Sequence, residues 1–265
     1  MIHHYTSIKS LALILKSKKL RFSRIDGLDD IKEIEGIPEK FKRSAFVSCW
    51  TDYNKEDISL WSLYTNMNGV RITLPQDMFN KYLILAGDYG NWGFTQDTNT
   101  PLPIDKIRTD EYIVLNPFWL EDGFYKKVIY TDLPYYKRKN CYDVDDSGNI
   151  NIKSIQNLFI YKDSIWEFQK ESRFYLIAVP LPPIKHFKDR ETQMLEIRSL
   201  ADDFDNNVTY IDVDINKNAL DNITVRLGTA CTYADRIIVE SLISKYTSKG
   251  KIEDSNLMSS YRIKK

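Results

Sequence analysis

The run "ESRFYLIAV" constrains this chain more than any other segment. From Phe174 to Val179 every side chain is apolar, and Pro180, Pro182 and Pro183 close it. It is too short for a membrane span, and its β-forming residues mark a buried strand. Shorter extended segments surround it in sequence: "IHHYT" from Ile2, "KLRFS" from Lys19, "SAFVSCW" from Ser44, "VRITL" from Val70, "YKKVIYTD" from Tyr125, "VTYIDV" from Val208 and "ITVRLG" from Ile223. Helices are interleaved. Ser7 caps one that runs to about Ser17 with Ile8, Leu11, Ile14 and Leu15 on its apolar face. "EDISLWSLYTNMNG" reads as another, ending at Asn68-Gly69 with glycine as the left-handed cap. "QDMFNKYLILAG" and "TYADRIIVESLISKY" read as amphipathic helices, and "SIQNLFIYK" as helical or mixed. Residues 25–40 are acidic and turn-rich, a surface loop or short helix and not core. Asp88 to Thr109 is a polar loop of the functional kind. The sum is a mixed α+β domain spanning residues 1–265, without repeats or linkers.

Charge narrows the function classes. Lys plus Arg and Asp plus Glu each number 37, so no overall field draws nucleic acid or acidic membranes. Cys49, Cys141 and Cys231 are odd in number and widely spaced, which argues against disulfides and a zinc site and for a reducing, cytoplasmic setting. "SLALIL" is too short for a signal peptide and no run reaches membrane-spanning length. The 17 Tyr and 12 Phe can bury or stack planar groups.

Three constellations could carry chemistry. His3 and His4, two of three histidines, open the chain; in a strand they face opposite ways, so one of them lines a given cleft. Trp61 and Tyr64 share a helix face, a core pair or an aromatic wall for a flat ring, with Ser59 and Ser62 as polar company. Gln169, Glu171 and Arg173 alternate on the entry to the long strand, either a surface stripe with a Glu171–Arg173 ion pair or a working set. "DVDDSGNINI" sets Asp143, Asp145, Ser147 and Gly148 at calcium-loop spacing, but Ser154 stands where the bidentate Glu belongs, so it reads as a turn. Asp29-Asp30, Asp145-Asp146 and Asp202-Asp203 read as loop residues and not as a metal set. "LPYYKRKN" (Tyr135, Tyr136, Lys137, Arg138, Lys139) reads as a solvated loop before a phosphate contact.

The order of these pieces carries a resemblance. "HYTS…LALILKSKKLRFS", "FVSCWTD…ISLWSLYTNMNGVRI", "KKVIYTDLP", "YKDSIWEFQKESRF" and "ITVRLG" together resemble a bacterial family of domains of unknown function, over roughly residues 3 to 230. The chain departs from its pattern twice: "LDDIKE" (Asp29, Asp30, Glu33) replaces N-D-P-[FW]-E, and Gln169 replaces the first Glu of E-x-E. That pattern is in turn similar to the ADP-ribosyltransferase superfamily of polymerases and toxins. The resemblance implies a split β-sheet core with flanking helices and NAD as substrate. It sets His4, with Tyr5 and Thr6, on the NAD, Tyr64 (with Trp61 beside it) on the nicotinamide, Glu171 as the catalytic carboxylate, and Gln169 two residues before it. Arg21 and Arg24 would meet the pyrophosphate. No metal is implied, and the lack of G-x-G-x-x-G argues against a Rossmann site. The expected function is a bacterial toxin or phage-defence effector, with nucleic acid (RNA or DNA) favoured over protein as acceptor and an antitoxin or regulatory protein as partner. The alternatives are a non-catalytic nucleotide- or partner-binding module of the same fold, and a nucleic-acid-processing enzyme of another class.

Overall fold

The computed structural model describes residues 1–88, 93–115, 124–146, 150–181 and 207–259. Its N-terminal third comprises Ile2–Thr6 (β1), Ile8–Ser17 (α1), Lys19–Arg24 (β2), Ala45–Thr51 (β3), Ile58–Thr65 (α2) and Val70–Leu74 (β4). Tyr125–Lys127 (β5), Ile129–Thr131 (β6), Tyr161–Asp163 (β7) and Glu171–Pro180 (β8) follow. Tyr210–Asp214 (β9), Thr224–Leu227 (β10), Tyr233–Tyr246 (α3) and Lys251–Asp254 (β11) end the described chain, apart from a last 3-10 turn. A mixed sheet runs in the order β5-β8-β3-β1-β4-β10-β11, with β2 branching from β3 and β9 pairing in turn with β2. The protein is therefore a mixed α+β fold built on one large sheet with helices packed against it.

The branch positions the site. β3 pairs with β2 at Val47 and Phe46, opposite Ser23 and Arg24. Four residues on, the same strand pairs with β1 at Thr51, opposite His3. Between these points, Ser48–Trp50 has no strand partner on that edge among the described residues. The sheet forks there, with β1 and β2 as its prongs and α1 joining them.

Local chemistry explains the prongs. Ser7 accepts the Ser10 amide at 3.0 Å to start α1, and Lys18 takes the left-handed conformation that ends it. Leu11 and Leu15, one helical turn apart, are fully buried. Each such side chain contributes about 1.5–3 kcal/mol of burial. β8 pairs with β3 from Glu171 to Ile177 and with β5 on its other edge. Its two faces enter different apolar clusters, Phe174, Leu176 and Ala178 one and Tyr175 and Ile177 the other, so Ser172 through Ala178 are all buried, as an apolar run covered on both faces requires.

Several expectations are corrected. Gln76–Gly87 is not a helix: Tyr82–Ile84 is a strand paired with Thr98–Thr100, and Leu83 and Leu85 are exposed beside buried Ile84. That alternation has period two, which overrides the helical spacing. "YKKVIYTD" breaks at Val128, whose amide bonds the Glu171 carbonyl at 2.9 Å. β5 thus pairs with β8 while β6 pairs in parallel with β7. α2 stops at Thr65, with Asn66 and Met67 in the left-handed region. Gly69 serves close approach instead, since a Cβ there would lie 2.5 Å from the Thr6 carbonyl oxygen. Residues 25–40 are not merely surface, because Ile25, Asp30, Glu33 and Ile37 are buried. "PYYKRK" forms a short helix in which Arg138 is buried, donating to the carbonyls of Glu35 (2.8 Å) and Tyr161. Arg138 is therefore closed to a phosphate backbone. Ser147, Gly148, Pro182, Pro183, Asp202 and Asp203 lie outside the described residues. No helix among the described residues is long and apolar enough to cross a membrane.

Candidate functional site

A cavity of about 540 Å³ occupies the fork, a size typical of small-molecule sites. Its apolar wall includes Ile14, Leu20, Val47, Trp50 and Leu60. His4, Tyr5, Thr6, Arg21, Tyr64, Gln169 and Glu171 line it as well. The residues expected on either side of the sequence thus reach one cleft, β1 supplying the imidazole, α2 the phenol, and the start of β8 the carboxylate.

His4 fills a gap left by the fork. The Cys49 carbonyl accepts from His4 Nδ1 at 2.9 Å. A carbonyl cannot donate, so Nδ1 carries the proton. Burial holds the imidazole below the usual histidine range, so His4 is neutral at pH 7 and Nε2 keeps a lone pair. Nε2 has no partner among the described residues. The ring also lies 5.2 Å from Trp50, centroid to centroid. His3 borders the cavity too, but its nitrogens engage Thr73 (2.9 Å) and Asn54 (3.3 Å). Burial, then the Arg71 charge, depress its pKa to about 4.

The opposite end is a buried ion cluster. Arg173 clasps Glu171 through Nε and, at 3.0 Å, Nη2. Its Nη1 pairs with Glu33, and Lys162 Nζ lies 3.6 Å from that carboxylate's other oxygen. Lys162 Nζ also donates to Gln169 Oε1 at 2.8 Å and Glu171 Oε2 at 3.3 Å. Burial alone would raise the Glu171 pKa, but Arg173 and then Lys162 outweigh it and bring it to about 2. Glu171 is consequently ionised throughout the neutral range. The Cys49 thiol beside it is pushed well up by burial and by the Glu171 charge, so it stays protonated and is no nucleophile.

Tyr64 closes the rim. Gln169 Nε2 donates to its oxygen at 2.7 Å, and the hydroxyl donates to Asp29 Oδ2 at 2.9 Å. Burial, then Asp29, raise its pKa, so the phenol is neutral, while the residue as a whole stays 42% exposed. The expected alternation of Gln169, Glu171 and Arg173 along one strand does not occur. Gln169 ends the 3-10 helix Ser164–Gln169, Lys170 is left-handed, and the strand begins at Glu171. Gln169 and Glu171 meet through Lys162 instead. The Glu171–Arg173 pair exists, but in the interior and not as a surface stripe.

Two of the expected residues, Trp61 and Arg24, are not on the cavity wall. Trp61 is fully buried, edge-on to Tyr5 with centroids 4.9 Å apart, and its indole N–H bonds Glu56 at 3.1 Å. It is core, outside the cavity wall. Arg24 also lies off that wall, bound to Asp26 at 2.6 Å. Arg21 does line the cavity, while paired with Asp212 at 3.0 Å and 3.5 Å above the Tyr210 ring. Tyr5 also borders the cavity, though its hydroxyl accepts the Asp57 amide at 3.2 Å.

Lys162 and Glu33 were missed as members of the cluster. Lys162 stands seven residues before Gln169 in the segment "YKDSIWEFQKESRF" that carries the resemblance, and Glu33 in the divergent "LDDIKE", but nothing local marks either as buried. No group of three or more His, Cys, Asp and Glu among the described residues could hold a metal ion. Comparison with protein-family models, with curated proteins and with solved structures finds no match to this chain.

Proposed function

We propose that the protein takes NAD as substrate in this cavity and acts as an ADP-ribosyltransferase of the toxin or phage-defence type. The carrying observation is that His4, Tyr64 and Glu171, from three distant segments, line one cavity. Breaking the nicotinamide–ribose bond builds positive charge on the ribose, as in glycoside cleavage. Glu171, held ionised, offsets that charge and does not carry a proton. His4 Nε2 accepts from a ribose hydroxyl. The exposed Tyr64 side chain stacks the nicotinamide, which leaves as a neutral base with the bond's electron pair; an oxygen or nitrogen nucleophile of the acceptor bonds the same ribose carbon and releases its proton to solvent. Gln169, with both ends of its amide engaged, acts here by stiffening Tyr64 and not by meeting the acceptor.

A second reading has its own observation. Both Glu171 oxygens are bonded by Arg173, which favours a structural carboxylate in a binding module that holds the nucleotide without turning it over. One experiment separates the two. The full chain is incubated with NAD, and free nicotinamide is measured beside calorimetric binding of ADP-ribose. Release that is lost in Glu171→Gln and reduced in His4→Ala supports the transferase. Binding without release supports the module. Release that survives both substitutions overturns this site. Label from radioactive NAD appearing in RNA, DNA or protein identifies the acceptor.

A further inference from the structure

Lys162 has no part in the reading above, yet its ammonium is the hub of the carboxylate end. Beyond Gln169 and Glu171 it faces Glu33 at 3.6 Å and Asp29 at 3.9 Å, with the Trp166 ring 4.8 Å away. Its side chain is 1% exposed, yet it borders the cavity. The bland account is charge balance, a cation buried because two carboxylates are buried.

Two observations go further. Glu171 already has a full guanidinium clasp, and Glu33 pairs with the same Arg173. An ammonium can only donate, so it fixes Gln169 with Oε1 inward. That leaves Gln169 Nε2 to donate to Tyr64, and the Tyr64 proton to go to Asp29. Lys162 at one end and the Asp29 carboxylate at the other, which accepts the Tyr64 proton, impose the same sense on the chain between them, and Lys162 is the buried member of the two.

We propose that Lys162 is the positioning residue of the site, orienting the Gln169 amide and the Glu171 carboxylate toward the cavity, with Glu33 as its counter-charge. The kinetic consequence rests on the NAD reading; the orientation does not.

The test compares Lys162→Met, Lys162→Arg and the double variant Lys162→Met with Glu33→Gln. The double variant removes one charge of each sign, so the interior stays balanced even if the single Met variant fails to fold. Two readouts are taken: the side-chain amide NMR resonances of Gln169, identified by their loss in Gln169→Ala, and kcat and KM for nicotinamide release. The double variant is expected to fold, to shift the Gln169 resonances, and to lose kcat about 100-fold, the cost of a misplaced site group. Its KM should hold within about threefold. Lys162→Arg, which keeps a donor cation, should recover kcat to within about tenfold of the parent. A double variant with parental kcat and unmoved Gln169 resonances reduces Lys162 to charge balance and overturns the proposal. So does an Arg variant no better than the double. If the parent protein releases no nicotinamide, the NAD reading fails and the Gln169 resonances alone decide: unmoved, they refute the orientation; shifted, they uphold it.

Discussion

Replacing Glu171 by Gln keeps the side chain's shape and removes its charge from beneath Arg173 and Lys162. A carboxyl moved from 4.5 to about 2 stabilises the folded state by about 3 kcal/mol at neutral pH. Removing one partner of a buried ion pair costs about 3–5 kcal/mol in general, so two independent routes agree on size. The sign follows from the lowered pKa. The contribution is complete above 4.5, shrinks as pH falls below that value, and is gone once the folded-state carboxyl is protonated near 2. Urea unfolding of the parent and Glu171→Gln proteins across this range measures it directly. The two should differ by about 3 kcal/mol at pH 7 and converge as pH approaches 2. A gap under about 1 kcal/mol at pH 7, as for an exposed pair, would refute the buried clasp. A gap that stays constant down to pH 2.5 would refute it equally. The measurement also sets the folded fraction at which loss of activity in the same variant is read.

His3 behaves as a neutral group in the fold, with its pKa near 4 against 6.5 unfolded. Its contribution is therefore whole above 6.5 and lost as pH falls toward 4; His3→Gln should flatten the denaturation midpoint across that window, and an unchanged slope contradicts the assignment. Gly69→Ala forces a Cβ to within 2.5 Å of the Thr6 carbonyl oxygen. It should cost about 1–3 kcal/mol, visible as a lowered melting temperature, and a parental value would mean that β1 and the end of α2 separate easily.

The parts of the fold that a reader of the sequence can recover are those fixed by neighbours. Ser7 with Leu11 and Leu15 defines α1, and the apolar run after Arg173 defines β8. The meeting of His4, Tyr64 and Glu171 was written only as an order of motifs, and it takes the fork to bring them to one cleft. At β2 the two-residue period of a strand separates Arg21 from Arg24: three apart, they cannot face the same way, and of the two only Arg21 reaches the cavity. Trp61 and Tyr64 share a helix face, but that face runs from the core to the rim, and spacing does not say where along it the interior ends. Glu33 and Lys162 stand in segments that the resemblance touches, but nothing around either says that it is buried. They are buried because each finds an opposite charge far along the chain, and the composition around Glu33 points the other way. Lys170 conceals a further break, since a left-handed residue without glycine carries no conspicuous signal in the sequence.

Because β1 and β2 separate from a shared strand, a molecule seated between them would serve as keystone as well as cargo. Its affinity would add directly to the cohesion of the two arms, growing with the logarithm of its concentration above Kd. Thermal protection by candidate compounds therefore offers a search for the occupant that needs no assumption about chemistry. The arms can also be retuned one at a time, since each meets β3 at its own few residues.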